Sequence, residues 1–159
     1  MPAPSGHLVA LYLAPRAKAP MVQAEEAVAE AGRGLVGDRY HAGRGAMTRW
    51  PGPHREVTLV AEEALQEVAA LLGRPLTGAD TRRNLLVRGV ELDALLKQRF
   101  RIGEVVLEGM QRCHPCAYLE RVVGVEGIFQ ALKSRGGLRA RIIEGGVMRV
   151  GDAVIPLPM

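Results

Sequence analysis

The rhythm of its apolar residues is what most restricts this chain. They come in short runs, at His7–Leu13, Glu56–Val60, Leu85–Val87, Phe100–Leu107, Leu138–Ile143, Val147–Val150 and Ala153–Ile155, with glycine, proline or charge around them. Runs of about four to eight residues suit strands better than helices. Gly103 breaks the fourth run and predicts a strand pair or bend there. Only Ala61–Leu72 keeps a sustained helical pattern: Leu65, Val68, Ala69 and Leu72 recur on one face, and Gly73 and Pro75 end it. Shorter helical stretches are expected at Leu92–Lys97, Ala117–Val122 and Ile128–Leu132. Met21–Ala31 is rich in Ala and Glu but shows no clean apolar face, so its state stays open. Gly145-Gly146 reads as the turn of a hairpin joining Leu138–Ile143 to Val147–Val150. With no regular βαβ alternation, these pieces predict an α+β domain, mostly β, with a barrel among its possible forms.

At 159 residues and 48% apolar composition, the chain suits one domain spanning 1–159 with a real core. No apolar stretch approaches the length of a membrane span. Met1–Pro15 has neither a basic start nor a small-residue cleavage pattern behind it, so the expectation is a soluble, cytoplasmic protein. The formal net charge of +4 is almost all arginine, with Lys18, Lys97 and Lys133 the only lysines among 21 basic residues. Arginine forks suit phosphate and carboxylate and so permit an anionic ligand. Aromatic residues at 4%, and the lack of a dense basic block, argue against nucleic acid.

The strongest chemical motif is Arg112-Cys113-His114-Pro115-Cys116. Pro115 keeps His114 out of the helical region and suits a first helical position, so a helix should begin at or just after it. Cys116 would then lie in the first turn, where free N–H groups favour a thiolate, the form that ligates a soft metal or attacks sulfur. Two cysteines three apart cannot staple distant parts of a fold but do suit metal, redox or nucleophilic chemistry. A cysteine can equally be a small buried hydrophobe. Elsewhere, Asp38, Arg39 and His41 sit in a glycine-rich loop, Gly32–Gly45, and Arg83 and Asn84 precede a strand. Each group could contact an anion, or be a solvated turn or a surface ion pair.

Taken in order, Gly34-Leu35-Val36-Gly37-Asp38-Arg39, Asn84-Leu85-Leu86-Val87-Arg88-Gly89, Arg112-x-x-Pro115-Cys116, and Gly137-Leu138-Arg139-Ala140-Arg141 through Gly145-Gly146 to Gly151-Asp152 resemble the MOSC domain, the C-terminal domain type of molybdenum cofactor sulfurases. The resemblance runs from about Leu8 to Val154. It implies a β-barrel like that of pyruvate kinase, with a few short helices. It also implies molybdopterin as cofactor, with Cys116 as molybdenum ligand or sulfur carrier. Asp38, Arg39, His41, Arg83, Asn84, Arg112 and Arg139 would contact the anionic pterin cofactor, and a sulfur donor or electron-transfer protein would be the partner. Related members include reductases of N-hydroxylated compounds, so a molybdenum-dependent oxidoreductase or a sulfur transferase is implied. The chain lacks a pyridoxal-phosphate domain, and it departs from many small members in having Arg82-Arg83 before Asn84 and a possible second thiol, Cys113.

Three other readings stay open. The Cys113/Cys116 pair could form a thiol-disulfide redox module, although the βαβ setting of such modules is missing. Both cysteines with two of His41, His54 and His114 could bind zinc, although only one C-x-x-C knuckle is present. A basic RNA-binding barrel is disfavoured by the scarcity of aromatics.

Overall fold

The computed structural model describes residues 6–41, 56–114, 117–133 and 135–158. Among the described residues, eleven strands and three α-helices occur in chain order: β1 (Gly6–Leu13), β2 (Val22–Ala24), β3 (Glu26–Glu30), β4 (Gly34–Leu35), β5 (Val57–Ala61), α1 (Glu62–Leu72), β6 (Leu85–Arg88), β7 (Arg99–Ile102), β8 (Val105–Arg112), α2 (Ala117–Val123), α3 (Ile128–Ala131), β9 (Leu138–Glu144), β10 (Gly146–Arg149) and β11 (Ala153–Pro156). Single 3-10 turns lie at Gly78–Thr81 and Leu92–Leu95.

Seven of these strands close a barrel. The sheet runs β11, β7, β8, β9, β5, β6, β1, and β1 pairs back onto β11 through Gly6 and His7. Inward side chains from every strand of the ring fill the interior, among them Leu8, Leu11, Val57, Leu59, Leu85, Phe100, Leu107 and Ile142. Leu8 and Leu11 are three apart, so plain alternation would place them on opposite faces. A register shift between Leu8 and Ala10 brings both inside. The outward residues Ala10, Tyr12, Val60 and Leu86 pack with Leu65 of α1, and Val68 packs with Leu119, Ile128 and Leu132 under α2 and α3. Helices thus seal one flank of the barrel.

The β5-α1-β6 unit is a parallel connection, Leu59 lying beside Leu85. Most expected strands and helices form within a residue or two of their predicted limits; β8 runs five residues beyond Leu107, to Arg112, and the stretch expected to be helical at Leu92–Lys97 is a 3-10 turn over Leu92–Leu95. Met21–Ala31 resolves into β2 and β3, because Ala27 and Ala29 are buried at a spacing of two while Glu26 and Val28 face outward. The predicted hairpin at Gly145-Gly146 does not form. Both edges of β9 are occupied, by β5 and by β8, so β10 pairs instead with β3 in a separate three-stranded sheet with β4. At Gly145 the chain crosses so near the carbonyl of Ala29 that a Cβ would lie 2.6 Å from it.

Candidate functional site at the end of β8

Three segments singled out in the sequence converge through arginine side chains. Asp38 is fully buried, accepting the N–H of Ala14 (3.1 Å) and an N–H of Arg39 (3.1 Å). Arg39 is buried beside it and donates from Nη2 to the carbonyl of Arg82 (3.2 Å), its guanidinium lying 4.9 Å from the ring centre of Tyr40. Arg82 has φ of +56°, a left-handed turn that points its carbonyl at Arg39 and its own guanidinium at the carbonyl of Ala19 (2.6 Å). Next in the chain, Arg83 donates from Nε to the carbonyl of Gly136 (2.8 Å) and from Nη2 to that of Cys113 (3.4 Å). The loop of Asp38 is thereby tied to the end of β8.

Asn84 is buried and locked. Its Oδ1 accepts the N–H and the hydroxyl of Thr58, and its Nδ2 donates to the carbonyl of Tyr12 (3.2 Å). Thr58 lies opposite Arg139 on β9, and Arg139 lies opposite Gln111 on β8. Arg139 alternates with Leu138 and Ala140, which are in the barrel core, so it projects outward. The result is a polar row across the outer face: Asn84, Thr58, Arg139, Gln111. Arg139 is half-buried and has no ion pair or hydrogen bond among the described residues. Thr58 was missed by the sequence reading; a lone hydroxyl in the run Val57–Ala61 was the available clue.

Of the other predicted residues, Arg112 and Cys113 stand at the end of β8, while His41 follows β4 beside the separate small sheet. Arg112 is exposed and makes a two-pronged ion pair with Asp93 (3.1 and 2.9 Å). His41 is hydrogen-bonded to Glu30, whose carboxyl is held below its ordinary range chiefly by that bond. Cys113 is buried, 1% exposed, and its N–H is bound by the carbonyl of Gly137 (2.8 Å). Gly137 has φ of +113°, and a Cβ there would fall 1.9 Å from the carbonyl oxygen of Leu59, so only glycine lets β9 start so close to β5. Pro115, Cys116 and His54 lie outside the described residues, as does the expected helix start; α2 is described from Ala117. Among the described residues, no group of three acidic, His or Cys side chains is placed to hold a metal ion.

Beside Cys113 and His114 opens a cavity of about 400 Å³ at the barrel end. Its walls come from the start of α1, the loop after β6, the end of β8 and the approach to β9.

The model of the MOSC domain family matches residues 38–155 of the sequence. The chain belongs to the MOSC domain family. Solved structures similar to this MOSC domain include the YuaD protein of Bacillus subtilis, 18% identical with a TM-score of 0.80, covering 95% of this chain and 94% of that one. YiiM of Escherichia coli is 20% identical with a TM-score of 0.73, covering 98% and 71%. YiiM of Geobacillus stearothermophilus is 15% identical with a TM-score of 0.75, covering 96% and 75%. No curated protein matches the sequence. The MOSC family is linked in general to molybdenum cofactor binding or to sulfur-related function. No described helix is long and apolar enough to cross a membrane.

Proposed function

We propose that this MOSC domain holds an anionic, molybdenum-bearing pterin or carries a sulfur atom at the end of β8, with Cys116 as metal ligand or persulfide site. One observation carries the reading: the row from Asn84 to Gln111 sets a half-buried Arg139, unpaired among the described residues, on the face that Arg83 spans toward Cys113, three residues before Cys116. The donor set fits an anionic group. Among the described residues, Arg83 donates from Nε and Nη2 to carbonyls and keeps Nη1 available, and Arg139 keeps its whole fork. Charge-assisted hydrogen bonds from these two would hold a phosphate.

When bound, molybdopterin would supply a redox-active metal centre for which a thiolate is a suitable soft ligand. The chain's own residues divide the remaining work. Asp38, Arg39 and Asn84 fix the backbone around Arg82 and Arg83, and so position the donors. Arg112 is held by Asp93 and His41 by Glu30, carboxylates that an anionic ligand would have to displace to reach either side chain. Cys116 supplies the thiolate. Burial of Cys113 weighs against the dithiol alternative, since exchange needs an accessible thiolate. The same reading puts the chain in the cytoplasm, with a sulfur donor or an electron-transfer protein as partner, acting as a sulfur transferase or as a reductase of N-hydroxylated compounds.

The test is elemental and pterin analysis of protein co-expressed with an intact cofactor pathway, together with a persulfide assay. Wild type should retain molybdenum with pterin, or transferable sulfur. Cys116→Ala should lose it with an unchanged circular dichroism spectrum. A wild type that takes up neither, with Cys116→Ala indistinguishable from it, defeats the proposal.

A further inference from the structure

Three segments far apart in the chain close a ring of contacts behind Arg83. The N–H of Ala14 and Nη1 of Arg39 both donate to Asp38 Oδ1 (3.1 Å each), Arg39 Nη2 donates to the carbonyl of Arg82 (3.2 Å), and Arg82 Nη1 donates to the carbonyl of Ala19 (2.6 Å). The chain from Ala14 to Ala19 completes the ring through a tight turn, in which Ala19 donates its N–H to the carbonyl of Arg16 (3.2 Å) and Lys18 is left-handed with φ of +66°. Ala14, Ala19, Asp38, Arg39 and Arg82 are all buried. Water has little access to replace these bonds, and a buried guanidinium that lost its acceptors would be costly.

Arg82 keeps its place in the ring in an uncommon conformation. With φ of +56° and ψ of +24° it is a non-glycine residue in the left-handed region, a state that persists where the surroundings over-determine it. They do so here. Arg82 donates its N–H to the carbonyl of Ala79 (3.1 Å), Arg83 to Oγ1 of Thr81 (3.3 Å), and Asn84 to the carbonyl of Thr58 (3.1 Å). The turn sends the two neighbouring guanidinium groups to different parts of the molecule, that of Arg82 to Ala19 and that of Arg83 to Gly136 and Cys113. Glycine would adopt this φ without strain, but it would leave the ring open at Ala19.

We propose that Arg82 is the positioning residue of this site: its buried guanidinium, anchored on Ala19, locks the left-handed turn that aims the Arg83 fork at the carbonyls of Gly136 and Cys113. That the aimed fork serves an anionic cofactor rests on the function proposed above. The aiming itself rests only on the ring and the turn.

The test reads hydrogen exchange of the Arg83 Nε–H by NMR in the full chain without ligand, the resonance being identified by its absence in Arg83→Lys. Wild type should protect it, since the carbonyl of Gly136 accepts it at 2.8 Å. Arg82→Gly should lose at least about tenfold of that protection, as expected when a charge-assisted hydrogen bond is released. Arg82→Lys, which keeps a donor, should lose less, and it serves if Arg82→Gly does not fold. Millimolar guanidinium should restore the protection in Arg82→Gly by taking the vacated place against the Ala19 carbonyl, and methylammonium should not. Phe100→Leu, a change in the buried core at β7, should leave the protection unchanged even where it lowers the unfolding midpoint. Full protection in Arg82→Gly, or in Arg82→Lys if only that variant folds, would overturn the proposal, as would an equal loss in Phe100→Leu or no recovery with guanidinium. Loading with molybdenum and pterin, or with transferable sulfur, is read separately. If wild type takes up neither while Arg82→Gly still loses protection, the cofactor reading falls and the positioning role stands; normal loading of wild type with protection intact in Arg82→Gly defeats this inference alone.

Discussion

Asn84 and Thr58 hold each other in both directions: Asn84 Oδ1 accepts the Thr58 N–H and hydroxyl at 3.1 and 3.2 Å, and Thr58 Oγ1 accepts the Asn84 N–H at 3.1 Å. Since Nδ2 also serves the Tyr12 carbonyl, one carboxamide joins β1, β5 and the start of β6. Asn84→Ala leaves a buried N–H and a buried carbonyl without partners, and each such orphan costs about 1–3 kcal/mol. Urea denaturation should show a loss of about 3 kcal/mol. A loss below about 1 kcal/mol would mean that the contacts carry no such weight.

The arginines of the predicted set should separate into two kinds. Arg39 is buried against a fully buried Asp38, and removing one partner of a buried pair typically costs about 3–5 kcal/mol. Arg39→Ala and Asp38→Ala should therefore lower the denaturation midpoint. Arg139→Ala removes no described contact and should leave that midpoint nearly unchanged while lowering occupancy by an anionic cofactor. Equal stability losses for Arg39→Ala and Arg139→Ala would contradict this division.

Glu56 is a buried carboxylate that accepts the N–H of Ile142 at 2.9 Å, and burial pushes its pKa above the ordinary 4.5 despite that bond. A carboxyl whose folded pKa is raised binds its proton more tightly in the native state, so its stabilising effect is full below the unfolded pKa and declines as pH rises through the folded one. Glu56→Gln keeps an acceptor and removes the titration. The stability of Glu56→Gln relative to wild type should rise as pH climbs from about 4 toward neutrality, measured by urea denaturation at several pH values. A flat or falling difference would refute the assignment.

Gly137 is the point where β9 passes β5. Its substitution by alanine combines a positive φ with a 1.9 Å clash against the Leu59 carbonyl, so the β8–β9 end must shift. Gly137→Ala should destabilise by about 3 kcal/mol or more, by analogy with other strained and overpacked sites. It should also expose Cys113, whose N–H is bound to Gly137, to alkylation.

In wild type, Cys113 should resist iodoacetamide until the chain unfolds, because its side chain is only 1% exposed. Mass spectrometry of native and urea-treated samples reads this directly. Rapid native labelling of Cys113 would revive the dithiol module.

Much of the fold was legible because strands buried on the barrel side keep a local signature. Leu85–Val87 is a continuous apolar run, and Val57–Val60 is broken only by Thr58, since both faces are covered, by the core and by the helix layer. What could not be read was pairing. Nothing local in Gly145-Gly146 tells that β9 already has two neighbours, and the alanines of β3 carry too little hydrophobic weight to announce a strand. The site divides along similar lines. Arg83 and Arg139 stand out as charges beside motifs, but that Arg39 turns inward to a carbonyl of Arg82 depends on tertiary contacts between segments 43 residues apart.

The barrel's last seam joins its earliest strand, β1, to its latest, β11. On a ribosome, β1 emerges long before its partner exists, and until β11 follows, the ring is an open sheet with an unpaired margin next to Phe100 and Ile102 on β7 and another on β1. Such sequence-distant pairing folds slowly and leaves sticky edges exposed in the meantime. Nascent chains stalled before Ala153 should therefore recruit chaperones or pair with one another, and release from that state should coincide with synthesis of the final strand.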